Sequence, residues 1–393
     1  MTGHRPLVSR GSSSTRFRPG VRFRTDARSV VRRRGTNTPT SSGCSRDGVR
    51  DDRDVDSYKR HIVPVGDMPG KVPPDELFAH VFERTGEADV DETVLQGPAD
   101  GEDAAAIDWP GGDLVVSSDP ISLAASQVGN LGVHVACNDV AASGADPRWL
   151  TVVVLLPDET ADLEAITRDI DAAASEVGAS VVGGHSEYVD QLERPLVSLT
   201  AMGATESFVP TGGAEPGDAV LLTKAAGIEG TAILAADFAA DLEVDSETVD
   251  RAGAFLEEIS VVPDGRAVRE FATAMHDPTE GGVAAGLLEI ARASGVRLEI
   301  DREAVPVREE TERLCAAAGV DPLRIFGSGA LLATVPGERR NEALEALSSA
   351  GIEAATVGTV AEGEPELVLD DVVIGEPVAD DLYPLWAAAD ATE

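Results

Sequence analysis

The chain has 393 residues, with 32 Lys and Arg against 70 Asp and Glu, a formal net charge of −38 and a sequence pI of about 4.3. So acidic a chain lacks the positive field that phosphate backbones require, which excludes nucleic acid as a partner. Three Cys exclude a disulfide framework and a CxxC metal pair, and no apolar run reaches the roughly 18–20 residues of a membrane span. These figures describe a soluble protein of a reducing compartment, expected in the cytoplasm.

Charge divides the chain unevenly. Residues 1–67 hold 15 of the basic residues, 14 of them Arg, but only 7 acids. The first 46 residues have one acid, Asp26, and no repeating apolar pattern. Such a segment cannot bury enough apolar surface to offset its conformational entropy and is expected to be disordered. Its composition fits a transit-like segment, a basic arm for an anionic partner, or a stretch upstream of a natural start at Met68. The last accords best with a folded body that shows no need of it. That body carries 17 basic and 63 acidic residues, with only Lys71 and Lys224 as lysines. Such a composition is expected of a protein adapted to concentrated salt, where self-repulsion is screened within a few ångströms, with ordinary acidic solubility as the alternative.

The elements follow in order. Asp75–Arg84 has a short helical pattern, Leu114–Ser118 reads as a strand, and Val128–Ala142 has helical spacing through Val133, Ala136 and Val140. Leu150–Leu156 is a buried strand. The helix after it places Leu163, Ile166, Ile170, Ala173 and Val177 on one face, with Asp158 available as its cap and Gly178 as its stop. A strand at Ala179–Val182 runs into a turn at Gly183-Gly184. The turn-rich stretch Thr205–Pro216 marks a junction. Beyond it come a strand at Ala219–Thr223, helices near 230–240, 247–260 and 264–274, and a helix at Val283–Ala293 stopped by Gly295. Strand 296–300, helix 308–318, strand 329–335, helix 338–350 and strand 352–360 complete the pattern. The expected architecture is mixed α/β (α+β) in two domains, 68–210 and 211–393.

Five short motifs carry the chemistry. Gly101-Glu102-Asp103 pairs a flexible backbone with acids, as an Asx-type turn also would. Asp119, in Ser117-Ser118-Asp119-Pro120, ends an apolar strand, where it can face a ligand or cap a turn. Asn138-Asp139 places two oxygen ligands inside an apolar helix, where burial without partners costs several kcal/mol. They therefore cap something or hold a cation. Gly183-Gly184-His185-Ser186-Glu187 allows close backbone approach to phosphate or metal, or simply makes a tight turn. His276-Asp277-Pro278-Thr279-Glu280-Gly281-Gly282 precedes a helix, whose start Asp277 or Thr279 can cap and whose unpaired N–H groups can hold an anion. Three Asp at element ends and two Gly-rich turns suggest Mg²⁺ bridging phosphates. Cys137 and Cys315 fall on apolar helix faces and are expected in the core, and His134 is expected to be a packed histidine.

In order, GEDAA, SSDP, VHVACNDVAASGADP, VVGGHSE, GDAVLLTKAAGIEGTAIL, AMHDPTEGGVAAGLLEIA and FGSGALL resemble the AIR synthase (PurM-like) superfamily over about Gly70–Val360. This superfamily includes the purine enzyme, thiamine-monophosphate kinase, selenophosphate synthetase and the hydrogenase-maturation HypE proteins. NDVAASGADP and HDPTEGG are most similar to the HypE-like group. The resemblance implies a subunit whose N-terminal half-barrel pairs with its mate in a homodimer and binds ATP, and whose C-terminal α/β domain completes the site. It assigns Asp103, Asp119 and Asp139 to Mg·ATP as metal ligands, and Asn138, Gly183 and Gly184 to nucleotide. Lys71 is a weaker match for a phosphate contact. Asp277, Thr279 and His185 would be catalytic. The implied activity is ATP-dependent activation of an amide- or carboxyl-type oxygen on an unidentified small-molecule or protein-bound substrate. A small-molecule kinase and a non-catalytic nucleotide-binding maturation factor are the alternatives. Three departures accompany the likeness. The chain ends Ala391-Thr392-Glu393 where the hydrogenase factors end in Cys. His185 replaces the usual Asp, and Glu280 stands where HypE-like proteins carry Arg. The Cys- and Lys-bearing loop of selenophosphate synthetase is also missing, which disfavours selenide chemistry.

Overall fold

The computed structural model describes residues 72, 74–82, 84–88, 91–121, 127–158 and 160–390; residues 1–67 and Lys71 lie outside this set. Two sheets, both within one compact unit, organise the described chain. The first takes strands β1 (Val94–Gln96), β2 (Ala105–Trp109), β3 (Gly112–Ile121), β4 (Asp146–Leu156), β5 (Ser180–Tyr188) and β6 (Leu196–Thr205), in the spatial order β1-β2-β3-β6-β4-β5. Only β4 and β5 run parallel. Helices α1 (Val128–Ala142) and α2 (Leu163–Val177) cover its inner face.

Alternation decides which residues meet those helices. Leu150, Val152, Val154 and Leu156 of β4 and Val197, Leu199 and Ala201 of β6 point inward and are buried. Helix α1 has no solvent-facing polar stripe because it is covered nearly all round, with Val133, Ala136, Cys137 and Val140 fully inaccessible. Each large aliphatic side chain so buried contributes about 1.5–3 kcal/mol. Helix α2 keeps the expected amphipathic stripe, but its cap is Asp162, which accepts from the Ala165 N–H at 2.9 Å. Asp158 lies too far upstream and closes a local turn on the Thr160 N–H at 2.7 Å. Gly178 ends the helix in the left-handed region, φ 81°. The helix expected at 75–84 is α-helical only over Pro74–Leu77 and continues as a wider turn, Phe78–Phe82.

The second sheet has seven strands: β7 (Asp218–Thr223), β8 (Ala274–His276), β9 (Arg297–Ile300), β10 (Leu332–Pro336), β11 (Ala354–Ala361), β12 (Glu366–Leu369) and β13 (Val372–Ile374). Their order is β13-β12-β9-β11-β7-β10-β8. Around it lie α3 (Ile228–Ile233), α4 (Ser246–Gly253), α5 (Val262–Val268), α6 (Gly282–Ser294), α7 (Glu309–Ala318), α8 (Arg340–Ser349) and α9 (Tyr383–Asp390). Every residue of β7 is buried, as a strand flanked by two neighbours and covered on both faces requires. Cys315 is buried on α7. Segment 254–268 does not continue as one long helix. A 3₁₀ turn at Ala254–Glu258 and a new helix at Val262 leave a short linker, 259–261, facing α1. Across this seam Arg266 meets Asp146 at 2.5 Å, and Arg269 meets it at 3.3 Å.

Candidate functional site

The site lies where β3, α1 and the turn before β2 meet β8 and the loop entering α6. On β3, Ser117 and Asp119 are two apart and share the inner face, toward α1. Ser117 Oγ lies 2.6 Å from Asp139 Oδ2 and 2.9 Å from Asp119 Oδ2. One hydroxyl has one proton, so it cannot donate to both carboxylates at once. Burial pushes the Asp139 carboxyl well above the usual range, and Asp119, Asp103 and Asp277 push it further in the same direction.

Asp103 reaches the same place from the other side. Its Oδ1 lies 2.8 Å from His276 Nδ1, and its Oδ2 accepts from the Asp277 N–H at 3.2 Å. The second imidazole nitrogen of His276 is 2.8 Å from Glu289 Oε2 on α6. Burial alone would push His276 down, but Asp103 and Glu289 outweigh it and raise the imidazole to about 10. Asp277 is 1% exposed, and neither of its carboxyl oxygens has a hydrogen-bond partner. Burial first, then Asp103, raises its carboxyl well above the usual range, against the pull of His276 and Lys224. Four Asp from four separate segments thus converge on one buried region, where burial and the neighbouring carboxylates raise the carboxyls of Asp139 and Asp277. Among the described residues no three His, Cys, Asp or Glu groups close round a single point.

Both halves of the described chain match one protein family, the AIR synthase related proteins: the N-terminal domain over residues 101–205 and the C-terminal domain over 215–370. The chain belongs to the AIR synthase related family. Its N-terminal family domain spans β2 to β6 and its C-terminal domain β7 to β12. A relative named carbamoyl dehydratase HypE, from Azotobacter vinelandii, is 34% identical over 292 residues, covering 70% of this chain and 82% of the relative. Among solved structures, HypE in complex with ATP superposes with a TM-score of 0.54 at 27% identity, over 77% of this chain and 92% of that one. The protein AaThiL, complexed with AMPPCP and TMP, shares the fold at a TM-score of 0.64 and 22% identity, over 80% and 100% of the two chains.

Within this family frame the expected residues separate into two groups. Asp103, Asp119, Asp139 and Asp277 come together. Asn138, expected at nucleotide, does not join them. It is fully buried, and both ends of its amide are used, Nδ2 donating to Ile259 O at 2.9 Å and Oδ1 accepting from the Val261 N–H at 2.8 Å. It fastens α1 to the 259–261 linker of the other half.

Gly183 and Gly184 are not a turn but the middle of strand β5, where the pairing with β4 shifts register by one residue. A Cβ on Gly184 would stand 1.9 Å from Val152 O, so the glycine answers a close strand approach. Asp119, Leu199, Val152 and Gly184 form one row across the inner face, and Pro120, Ser198, Val153 and His185 form the next row, on the outer face. His185 is therefore on the opposite side of the sheet from Asp119. It is exposed, 3.4 Å from Glu187.

Neither Asp277 nor Thr279 caps α6. The cap is Gly281 at φ 77°, and Asp380 Oδ2 accepts its N–H at 2.9 Å. A carboxyl oxygen of the chain itself thus takes an N–H at the position proposed for an anion. The Thr279 carbonyl accepts from Gly282 and Gly327, both at 3.0 Å, which shapes the loop. His134 is packed in α1 at 3% exposure. His276 and Glu289 were not anticipated. The HDPTEGG motif contains the first, but nothing local links it to a glutamate 13 residues on.

Proposed function

We propose that the chain is an ATP-dependent enzyme of the HypE type, which sets Mg·ATP against Asp103, Asp119 and Asp139 and activates an amide- or carboxyl-type oxygen of its acceptor. One observation carries this reading. Asp139 and Asp277 are buried among like charges, and Asp277 has no partner for either oxygen. A divalent cation relieves that arrangement, and hard carboxylate oxygens suit Mg²⁺, which keeps water and phosphate oxygens in its remaining positions. Bound Mg²⁺ would neutralise charge on the phosphates during transfer.

The chain's own groups do the rest. His276 holds both Asp103 and Glu289, which fixes the carboxylate from the first half against the loop of the second. Ser117 spaces Asp119 from Asp139. The acceptor oxygen would form a bond to the γ-phosphorus as the β–γ bridge breaks and ADP leaves; with an amide-type acceptor, a later C–O cleavage would release inorganic phosphate as the nitrogen gives up a proton and its lone pair closes a C≡N bond. The carbamoyl dehydratase name of the 34%-identical relative accords with an amide-type acceptor.

The outer face of the first sheet supports a homodimer. Leu114, Val116, Trp149, Val153, Leu155 and Met202 line it and are only half-buried or exposed. A sheet normally covers such a face, and a second copy of the same face would close it. His185 and Glu187, on the same face, would then lie at the junction of the two copies.

Calorimetry of ATP in molar KCl, with and without Mg²⁺, tests the reading. Binding that requires Mg²⁺ and weakens at least about tenfold, roughly 1.4 kcal/mol, in Asp139→Asn supports it. Absence of heat in the wild type, or equal affinity in the variant, overturns it.

A further inference from the structure

Outside the acid cluster, one of the body's two lysines is densely bonded. Lys224 follows β7 with φ 53°, a backbone conformation that non-glycine residues rarely adopt. Its Nζ donates to Gly329 O at 2.7 Å, Ser260 O at 2.8 Å and Glu258 O at 3.3 Å, and lies 3.1 Å from Asp264 Oδ2. The Asp264 side chain is fully inaccessible and that of Lys224 is 14% exposed.

An ammonium has three protons, and here four acceptors surround them. Nothing remains to donate to a phosphate, so Lys224 is not a nucleotide contact. The geometry also accounts for the residue type. The body uses Arg for 15 of its 17 basic residues, but a planar five-donor fork cannot converge on a compact ring of carbonyls as a tetrahedral ammonium does. Lysine is retained where only lysine fits.

Three of the four acceptors belong to one segment, Glu258 to Asp264. The middle of that segment is the linker that grips Asn138, through Ile259 O and the Val261 N–H. Asn138 is followed by Asp139, whose carboxylate meets Ser117. A continuous set of bonds therefore runs from the end of β7, through the linker, into the C-terminal half of α1.

We infer that Lys224 is a positioning residue: its ammonium pins segment 258–264, which through Asn138 fixes α1 so that Asp139 is set against Ser117 and Asp119. This rests on the reading of Asp139 as a Mg·ATP ligand. The strained backbone at Lys224 fits the role, because such strain persists where the surroundings over-determine it.

The test uses the full chain in molar KCl, with Lys224→Met and Lys224→Arg. Amide exchange without nucleotide is read first, on peptides covering 258–264 and 136–142. Both segments should exchange at least about tenfold faster, with strands β9 and β11 unchanged. Calorimetry then gives the Kd for Mg·ATP, expected to rise about tenfold. Combination with Asn138→Ala should be non-additive, since both substitutions cut the same connection.

Faster exchange confined to 258–264, or a wild-type Kd in both lysine variants, overturns the inference. If Lys224→Met does not fold, Lys224→Arg decides alone, and wild-type exchange in it overturns the inference. A wild-type chain without affinity for Mg·ATP overturns the functional reading instead, while the exchange data still judge the pinning.

Discussion

Ser117 Oγ stands 2.6 Å from Asp139 Oδ2, a bond that joins the second half of β3 to the buried face of α1. The pair is held at a cost. A carboxyl whose folded pKa lies above its unfolded value contributes fully below the unfolded value, and the contribution is lost as pH rises through the folded value. Asp139 is therefore a destabilising residue at neutral pH in the metal-free protein. Asp139→Asn keeps an acceptor for Ser117 and removes the charge. It should raise metal-free stability at pH 7 by about 1–2 kcal/mol, the usual gain when a functional site is relieved of strain. Denaturation midpoints in molar KCl with chelator check this, and a variant less stable than the wild type would refute it.

Asp380 gives a second sign. Burial is the main cause that lifts its carboxyl to about 8, although it accepts from the Leu382 and Gly281 N–H groups, both at 2.9 Å. Folded protein holds this proton while unfolded chain releases it, so the contribution is complete below about 4 and is lost as pH rises through about 8. Asp380→Asn should match the wild type near pH 4 and exceed it above pH 8. Stability measured across that window decides, and parallel curves for the two proteins would count against the assignment.

Much of this architecture was legible because local pattern and tertiary role agree. Helix α1 was expected at its observed limits, since an apolar run interrupted by Asn138-Asp139 has one period and needs one explanation. The convergence of Asp103, Asp119 and Asp139 was foreseeable only through the order of the motifs. The Gly-Gly pair of β5 signals a turn in the sequence, and only the β4 backbone shows that the space is needed inside a strand. The bonds Asn138 makes to Ile259 and Val261 leave no local signal, because those partners lie more than 120 residues away. His276 failed to stand out for the same reason, since its charge is set by Asp103 and Glu289 rather than by its neighbours.

The two glycines of β5 separate packing from ligand approach. A Cβ at Gly184 would overlap Val152 O, whereas one at Gly183 would meet only Thr151 Cγ2, at 3.9 Å. Gly184→Ala should cost about 1–3 kcal/mol by overpacking, and Gly183→Ala should be within about 0.5 kcal/mol of the wild type. Equal losses in both would instead favour a loop in which each glycine serves the backbone.

The open face of the first sheet makes Trp149 the residue to change for assembly. It is 39% exposed on a face lined by Val153 and Leu155. Trp149→Glu places a carboxylate where the second copy would pack, and an unpaired charge at an interface core is strongly unfavourable. Sedimentation velocity should show a dimer for the wild type and a monomer for the variant, with the circular dichroism of both unchanged. A monomeric wild type would remove the proposed dimer.

Salt should govern stability more than any single substitution. The body carries 63 acidic residues against 17 basic ones, and their repulsion extends about 10 Å at 0.1 M salt but only about 3 Å at 1 M. The described ion pairs, such as Arg308 with Glu258 and Arg251 with Glu310, occupy most of the available cations and leave the acidic excess unopposed. Screening must therefore come from solvent. Melting temperature should rise steadily as KCl goes from 0.1 to about 2 M, most steeply at the low end, where the screening length changes most. NaCl should act as KCl does, and an equal osmolality of sucrose should not reproduce the low-salt part of the curve. A flat salt response would mean that the acidic excess is spread too thinly to act on the fold.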